Sequence, residues 1–455
     1  MKKEETLLTK KSLEQSLAPP RSPPHFTSHR QRLLGEDPSD APYAILHGHD
    51  EAHSTYNQHA GLRDRIEHLL QNQHVTTPRN WSIRHPHLTV GPEPSDRMTR
   101  YLGALLPLHW QNAGRDSGTF GTIADTLVTC SIPLGAVTNP SAAAQFIRLT
   151  NRVKRIPYGQ HESNFIDLLF PHSTSSEWTG LVFFVHGGAW GSGKPWFYRL
   201  VATPFLEMNL VVAIVGYRVY PYSQDVDGQV HDLECAAAEL AKLYPDLCGS
   251  KRIKRSIGTC VMGHSSGAHI ILLMAVEQAK RRLQGEQVQL ETGISKTWGV
   301  AMPIDKLVGI SGPYDISHHF DYEAARGVEE ISPMKAACGY TRDMFHRNSP
   351  HRRLKNFLAT FDESVKLCIN RFMPPMVLIH GVEDETVPFT ATSEAARVLR
   401  SCGLRNVDEI YVTGTGHQED IVQVMLGGKF RDLIVDWLSS YSNKRSVSSA
   451  LNSKL

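Results

Sequence analysis

One serine in the chain has the neighbours that a nucleophilic serine requires. Ser265 lies in the run Gly263-His264-Ser265-Ser266-Gly267, which has the G-x-S-x-G spacing. A serine oxygen that attacks a substrate must stand clear of its own backbone, and a sharp strand-to-helix turn achieves this only when the residues two before and two after it are very small. Gly263 and Gly267 meet that demand around Ser265, whereas the large His264 would flank Ser266. We therefore predict that Ser265 is a nucleophile.

A serine nucleophile needs a base, and the base needs an acid that orients it. The chain offers both after the serine, each just behind a predicted strand: Asp384 comes first and His417 follows. Glu383 and Glu385 flank Asp384, and residue type alone does not separate the three carboxylates. The pattern predicts His417 as the base and Asp384 as the acid, with the two glutamates as alternatives.

Acyl transfer also requires N–H donors for the negative oxygen of the tetrahedral intermediate. The run 186–190, His-Gly-Gly-Ala-Trp, follows a predicted buried strand and precedes the serine by two strand–helix units. Its small residues let the backbone approach a reacting oxygen. We predict that the donors of this oxyanion hole are the backbone N–H groups of Gly188, Ala189 and Ser266. The other residues of this motif loop are His186, Gly187 and Trp190.

These residues need a frame of strands and helices to bring them together. Continuous apolar runs, which are typical of strands buried on both faces, occur at 181–185 and 210–215. Further strands are predicted at 155–159, 164–170, 258–262, 306–312, 376–381 and 409–413. Helical patterns lie at 200–207, 232–243, 268–274, 393–400 and 420–439. This alternation predicts an α/β fold with βαβ crossovers and a mostly parallel, doubly wound sheet.

The motifs taken together resemble a known superfamily. They are the loop 186–190, Tyr217-Arg218, 263–269, 311–314, 332–334, the turn at Asp384, Gly416-His417 and 427–429. Over roughly 155–440 the chain resembles the α/β-hydrolases, in the carboxylesterase branch with an H-G-G-x-W loop, and is most similar to isoprenylcysteine methylesterase-like proteins. The order serine, aspartate, histidine along the chain is the one this architecture uses.

The resemblance implies a function. It implies a serine carboxylesterase that hydrolyses a small-molecule ester through an acyl-enzyme, in that subfamily the methyl ester of a prenylated cysteine, with no cofactor and no metal. The H-G-G-x-W loop also resembles that of kynurenine formamidases, so amide hydrolysis by an arylformamidase remains an alternative. A non-catalytic binding protein with a hydrolase fold is the alternative from another functional class.

Composition and breaker residues suggest how the chain is divided. We predict a mostly disordered leader with short helices at 1–150, in which the run 19–24 is rich in proline. The α/β-hydrolase domain is predicted at 151–442 with an irregular lid insertion at about 313–372, and a disordered tail at 443–455. The large side chains of the insertion are expected to form its own packing, with an apolar acyl or prenyl pocket as the alternative. They are Phe320, Tyr322, Met334, Tyr340, Met344 and Phe345.

The overall composition indicates which classes of partner and which cellular compartment are expected. The 48 Lys and Arg residues nearly balance the 46 Asp and Glu residues, which argues against a nucleic-acid partner. The 7 cysteines are scattered without a CxxC pair, and no secretory leader is visible, so we expect reduced thiols and an intracellular protein, cytoplasmic or peripheral at the endoplasmic reticulum membrane. The stretch 126–147 has no charged residue, but its prolines make it a poor spanning helix, which predicts weak or no membrane association. The oligomeric state is left open.

Overall fold

Strands and helices alternate along most of the described chain, as the apolar pattern predicts. The computed structural model describes residues 43–46, 139–172, 178–249, 256–292, 301–329, 332–362 and 367–452, with only the backbone at 43–46, 286–292, 367 and 441–452. The strands are β1 Tyr43–Leu46, β2 Lys154–Pro157, β3 Phe165–Leu169, β4 Gly180–Val185, β5 Leu210–Val215, β6 Gly258–His264, β7 Lys306–Ile310, β8 Met376–Gly381 and β9 Val407–Val412. The helices are α1 Pro140–Thr150, α2 Ala202–Glu207, α3 Val226–Leu243, α4 Ser266–Thr292, α5 Ile316–Arg326, α6 Met334–Ala337, α7 Arg342–Arg347, α8 Pro350–Leu358, α9 Thr390–Ser401, α10 His417–Leu426 and α11 Lys429–Asn452. Two 3-10 helices lie at Pro195–Val201 and Leu367–Arg371.

These strands form one sheet whose central part is parallel. Its order is β1-β9-β8-β7-β6-β4-β5-β3-β2. The run from β5 through β4, β6, β7 and β8 to β9 is parallel, whereas β1, β2 and β3 pair antiparallel at the two edges. The prediction of a mostly parallel α/β sheet is therefore confirmed.

The central strands are apolar because helices cover both faces of the sheet. All six residues of β4 are buried. Leu181, Phe183 and Val185 pack in one hydrophobic cluster, and Val182 and Phe184 pack in the cluster on the other face. Side chains alternate between the two faces of a strand, so a strand buried on both faces reads as a continuous apolar run.

The sheet places the ends of β4 and β6 side by side. Strand β5 lies on one side of β4, and β6, the next strand along the chain, lies on the other. The strand order therefore reverses at this point, and loops that leave the carboxyl ends of such neighbouring strands diverge to leave a crevice. The motif loop 186–190 leaves β4 and Ser265 leaves β6, so both open onto this crevice.

Three described segments fall within the predicted leader or the predicted tail. Strand β1 and helix α1 fall within the predicted leader; the rest of the leader, 1–42 and 47–138, lies outside the described residues. The apolar four residues of β1 add an edge strand to β9, a pairing between distant parts of the chain that a local pattern does not reveal. Helix α11 continues to Asn452 and so enters the predicted tail, because no proline or glycine interrupts it after residue 428.

The described part of the segment 313–372 is largely helical, although its sequence pattern is irregular. It contains α5, α6, α7 and α8, and α8 packs against α4 and α9. Side-chain caps start two of these helices, with Asp315 accepting from the N–H of His318 and Thr341 from that of Met344. Helices this short show too few turns for a clear 3.6-residue period, which explains why the pattern looked irregular.

The uncharged stretch 126–147 is only partly described. Residues 126–138 lie outside the described part, and 140–147 belong to α1. None of the helices in the described residues combines the length and the apolar composition that crossing a membrane demands.

Candidate active site

Ser265 occupies the sharp turn that its glycine neighbours predicted. It lies between the last residue of β6 and the first of α4, with φ at +54°, a left-handed conformation that is strained for any residue other than glycine. A Cβ atom on Gly263 would lie 2.6 Å from the carbonyl carbon of Gly267, and one on Gly267 would lie 2.4 Å from the carbonyl oxygen of Val185. No side chain fits at either position, so the turn requires both glycines.

The three predicted triad side chains meet in the structure. The Oγ atom of Ser265 lies 3.0 Å from Nε2 of His417. The Nδ1 atom of His417 lies 2.6 Å from Oδ2 of Asp384. All three side chains are buried, although they come from the loops after β6, β8 and β9. The geometry allows a proton to pass from the hydroxyl to the imidazole while the carboxylate holds the other ring nitrogen.

The Asp384 carboxylate is held by four groups. Its Oδ1 accepts hydrogen bonds from the backbone N–H groups of Thr386 at 2.9 Å and Val387 at 2.8 Å. Its Oδ2 faces His417 and lies 3.2 Å from Nε2 of His380. Burial alone would raise the pKa of Asp384, but the two histidines outweigh it and hold the pKa well below its usual range. Asp384 is therefore a carboxylate at neutral pH.

The same carboxylate shifts the pKa of His417. Burial would lower the pKa of His417, but the Asp384 carboxylate outweighs burial and raises it above the ordinary 6.5. Because a carboxylate only accepts hydrogen bonds, Nδ1 of His417 carries a proton and donates it. In the neutral ring this leaves Nε2 as an acceptor facing Ser265.

The structure shows which of the three neighbouring carboxylates contacts His417. Asp384 alone of the three lies against Nδ1 of His417. Glu383 is half-buried and accepts the backbone N–H of Thr415 at 3.0 Å. Glu385 is exposed to solvent. The side chains of successive loop residues point in different directions, so one residue out of three faces the imidazole.

The motif loop lies directly against the serine turn. A Cβ atom on Gly187 would lie 2.9 Å from Cβ of Ser265. The backbone of the loop is in the left-handed region, with φ at +131° for Gly188, +50° for Ala189 and +62° for Trp190. Among the described residues, no group accepts a hydrogen bond from the N–H of Gly188, Ala189 or Ser266. Three N–H groups are thus open to a ligand, and the third sits at the positive N-terminal end of α4.

Two other residues of the motif loop, His186 and Trp190, contact buried side chains that hold the loop in place. The ring of His186 stacks on Tyr217 with centroids 4.5 Å apart, and the Tyr217 hydroxyl donates to the carbonyl oxygen of His186 at 2.9 Å. Burial lowers the pKa of His186 to about 4, so the ring is neutral at pH 7. Trp190 is buried, and its Nε1–H donates to Nδ1 of His269.

Several residues near the triad escaped the sequence analysis. His380 is the last residue but one of β8 and lies against Asp384. The Nε2 atom of His264 lies 3.2 Å from both the carbonyl oxygen of His417 and Oδ1 of Asp420. The sequence signal for Asp420 was its place one turn of helix after His417. His264, Asp420 and His417 are close enough to share a metal ion. Both ring nitrogens of His417 already face triad partners, however, so a metal bound there would compete with the triad contacts.

The parallel sheet, the serine turn after β6, and the carboxylate and the histidine after later strands together have the arrangement of an α/β-hydrolase fold. The BD-FAE family model, of α/β-hydrolase type, matches residues 166–399, just over half of the chain. The chain belongs to that family, and the superfamily predicted from its motifs is confirmed.

Individual relatives agree with this assignment. The chain is 27% identical over 289 residues to the probable isoprenylcysteine alpha-carbonyl methylesterase ICME of Oryza sativa subsp. japonica, covering 63% of each protein. It is 25% identical over 301 residues to the isoprenylcysteine alpha-carbonyl methylesterase ICME of Arabidopsis thaliana, covering 64% of this chain and 62% of that one. A kynurenine formamidase of Danio rerio is 24% identical over 278 residues, covering 61% of this chain and 78% of that one. The chain thus spans less than two thirds of the length of the two methylesterases.

A solved structure shows the same fold. Esterase B from Lactobacillus rhamnosis superposes with a TM-score of 0.51 at 16% identity, covering 72% of this chain and 98% of that one. At that identity the likeness concerns the fold and not the substrate.

Proposed function

We propose that this protein is a serine carboxylesterase. The observation that carries the proposal is the unbroken line of contacts from Oγ of Ser265 through the ring of His417 to Asp384, at 3.0 and 2.6 Å. The three open N–H groups beside it match what a tetrahedral intermediate needs. A complete set of these groups favours an enzyme over a binding protein of the same fold.

In the proposed mechanism His417 takes the hydroxyl proton of Ser265 while Oγ attacks the ester carbonyl carbon. The N–H groups of Gly188, Ala189 and Ser266 donate to the resulting oxyanion. Asp384 holds the imidazole in its productive tautomer and stabilises the imidazolium. His417 then protonates the leaving alcohol, which departs as the acyl-enzyme forms. Water repeats the sequence on the acyl-enzyme, releases the acid and restores Ser265.

The pH dependence of activity should report His417. The base must be neutral to accept a proton, and its pKa is raised above 6.5. We therefore expect kcat/KM for an ester that does not ionise, such as p-nitrophenyl butyrate, to rise with pH through an apparent pKa above 6.5 and to fall about tenfold per unit well below it. Asp384 stays ionised throughout that range because its pKa is lowered. A flat profile down to about pH 5 would contradict the assignment of the base.

The substrate class proposed is the methyl ester of a prenylated cysteine. This rests on the similarity to the two methylesterases and on the motifs of this chain that resemble that subfamily. The segment 313–372 is proposed as the lid over such a substrate. Inside it, Phe320 and Phe345 pack on each other with ring centroids 5.2 Å apart, and Tyr322 donates its hydroxyl to the carbonyl oxygen of Glu385. The contact between Phe320 and Phe345 favours the expectation that the aromatic residues are the segment's own packing, whereas Tyr322 ties the segment to the loop beside Asp384.

The deciding measurement compares two esters that differ only in the prenyl chain. We expect kcat/KM for farnesylcysteine methyl ester to exceed that for cysteine methyl ester by at least about a hundredfold, because burying the chain yields about 0.8 kcal/mol per CH₂ before losses. Equal low rates would reject the prenyl substrate and leave a general esterase.

An amide substrate is the second candidate, because a kynurenine formamidase is among the relatives. N-formylkynurenine tests it under the same conditions. Turnover of this amide well above that of both esters would assign the site to amide hydrolysis, since the same serine chemistry acts on either bond.

A further inference from the structure

We propose that His269 is a positioning residue for the oxyanion hole, and that it fixes the motif loop 186–190 against the serine turn and against the segment 313–372. The inference deepens the proposed serine-hydrolase function and rests on it. His269 donates no proton to the reaction in this scheme. It acts through Trp190, the last residue of the motif loop.

The motif loop holds a conformation that its own sequence does not favour. Ala189 and Trp190 are consecutive residues other than glycine with φ at +50° and +62°. Left-handed backbone at such residues is strained and persists only where the surroundings over-determine it. The N–H of Ala189 is one of the proposed oxyanion donors, so the strain lies at the atoms whose position matters for catalysis.

Trp190 is held at both its backbone and its side chain. Its carbonyl oxygen accepts hydrogen bonds from the N–H of Tyr220 and from Nε2 of Gln229, each at 2.8 Å. Its indole is buried, and Nε1–H donates to Nδ1 of His269 at 3.2 Å with the two rings nearly perpendicular. The carbonyl contacts fix one end of the residue, and the indole contact fixes the direction of its side chain. Together they leave the neighbouring Ala189 little freedom to rotate.

One neutral tautomer of His269 can make both hydrogen bonds that this position requires. Its Nε2 lies 2.7 Å from the carbonyl oxygen of Asn348, which can only accept, so Nε2 carries the proton and Nδ1 is free to accept from Trp190. The ring is fully buried, and burial lowers its pKa to about 3. His269 is therefore neutral in the working range of the enzyme and makes both hydrogen bonds at once.

Further hydrogen bonds hold both ends of this link. His269 lies one turn of α4 after the nucleophile, and its N–H donates to the carbonyl oxygen of Ser265 at 3.3 Å. Asn348 is buried, with its Nδ2 donating to Cys338 and its Oδ1 accepting from Arg353. One imidazole thus sets the distance between the serine turn, the motif loop and the segment 313–372.

Two substitutions separate positioning from simple packing. His269→Phe keeps a ring of similar size and removes both hydrogen bonds, whereas His269→Gln can accept from Trp190 with Oε1 and donate to Asn348 with Nε2. On p-nitrophenyl butyrate we expect His269→Phe to lower kcat about 10²-fold, as expected when a donor is misplaced by about 1 Å, with KM little changed. His269→Gln should recover at least about tenfold of that loss. The recovery is the readout that a purely structural role would not produce.

A second pair of variants covers the case in which His269→Phe is unstable. Trp190→Phe removes the indole donor together with one ring of the side chain, and the double variant with His269→Leu, which removes the acceptor, should be no slower than Trp190→Phe alone if both act through one hydrogen bond. The control is His351→Phe, which replaces another fully buried imidazole in α8 that does not contact Trp190. It should lower the melting temperature without the fall in kcat.

The outcomes are distinct. Equal kcat for His269→Phe and wild type, no recovery with glutamine, or additive losses in the double variant would each overturn the inference. Wild-type turnover in Ser265→Ala would instead overturn the proposed function itself, whatever the His269 variants do.

Discussion

Ser265→Ala is expected to lower kcat by about a million-fold, the loss that removal of the triad serine causes in another serine hydrolase. Alanine fits the turn, because the substitution removes only Oγ and leaves the left-handed backbone and both flanking glycines in place. The substrate should still bind, so KM should change little. The measurement is kcat on p-nitrophenyl butyrate, together with covalent labelling by a fluorophosphonate probe, which should be lost.

The adjacent serine provides the matched comparison. Ser266→Ala removes a hydroxyl one residue away, but it keeps the backbone N–H that we assign to the oxyanion hole. It should lose far less activity than Ser265→Ala and should still be labelled. If Ser265→Ala kept its turnover, or if labelling moved to Ser266, the assignment of the nucleophile would be wrong.

Asp384→Asn is expected to lower kcat by about 10⁴-fold, the second largest effect. The reason lies in how the carboxylate is held. Its Oδ1 accepts the N–H groups of Thr386 and Val387, so the oxygen of an asparagine would occupy that place and its NH₂ group would face His417. An imidazole facing a donor must leave Nδ1 unprotonated. The neutral ring would then carry its proton on Nε2, where it could not accept the proton of Ser265.

The two glutamates beside Asp384 are controls of matched charge. Glu385→Gln changes an exposed side chain, and Glu383→Gln changes one that accepts the N–H of Thr415. Neither contacts the imidazole, so both variants should keep kcat near that of wild type. Asp384→Asn differs from these controls in a second way: loss of its carboxylate should lower the pKa of His417 and move the pH profile of activity to lower pH. A loss in Glu383→Gln as large as that in Asp384→Asn would show that the acid was chosen wrongly.

Features of the site that depend on residues close together in the chain could be predicted from the sequence. The requirement for glycine at 263 and 267 is a steric property of one turn, and the clash distances of 2.6 and 2.4 Å bear it out. The apolar runs of β4 and β5 predict strands covered on both faces, because the alternation of side chains leaves no face for water. The spacing of strands and helices then predicts the sheet, and the sheet predicts which loop ends meet.

Other features depend on contacts between distant residues. Glu383, Asp384 and Glu385 are alike in type and adjacent in sequence, and only the direction of each side chain selects the one that meets His417. Tyr322 reads as an aromatic residue of the insertion, yet its hydroxyl holds the carbonyl oxygen of Glu385. The edge strand β1 joins β9 across more than three hundred residues of chain. The pattern of apolar residues within a short stretch does not predict such contacts between distant residues.

The sequence by itself determined the class of this protein: a parallel α/β sheet, a serine in a glycine-flanked turn, and an acid and a histidine behind later strands. Only the tertiary structure decided which carboxylate meets His417 and that His269 joins Trp190 to Asn348. The physical reason is that a turn and a strand are selected by sterics and burial within a few residues. A buried hydrogen bond is selected by the donor or acceptor that the fold brings opposite to it.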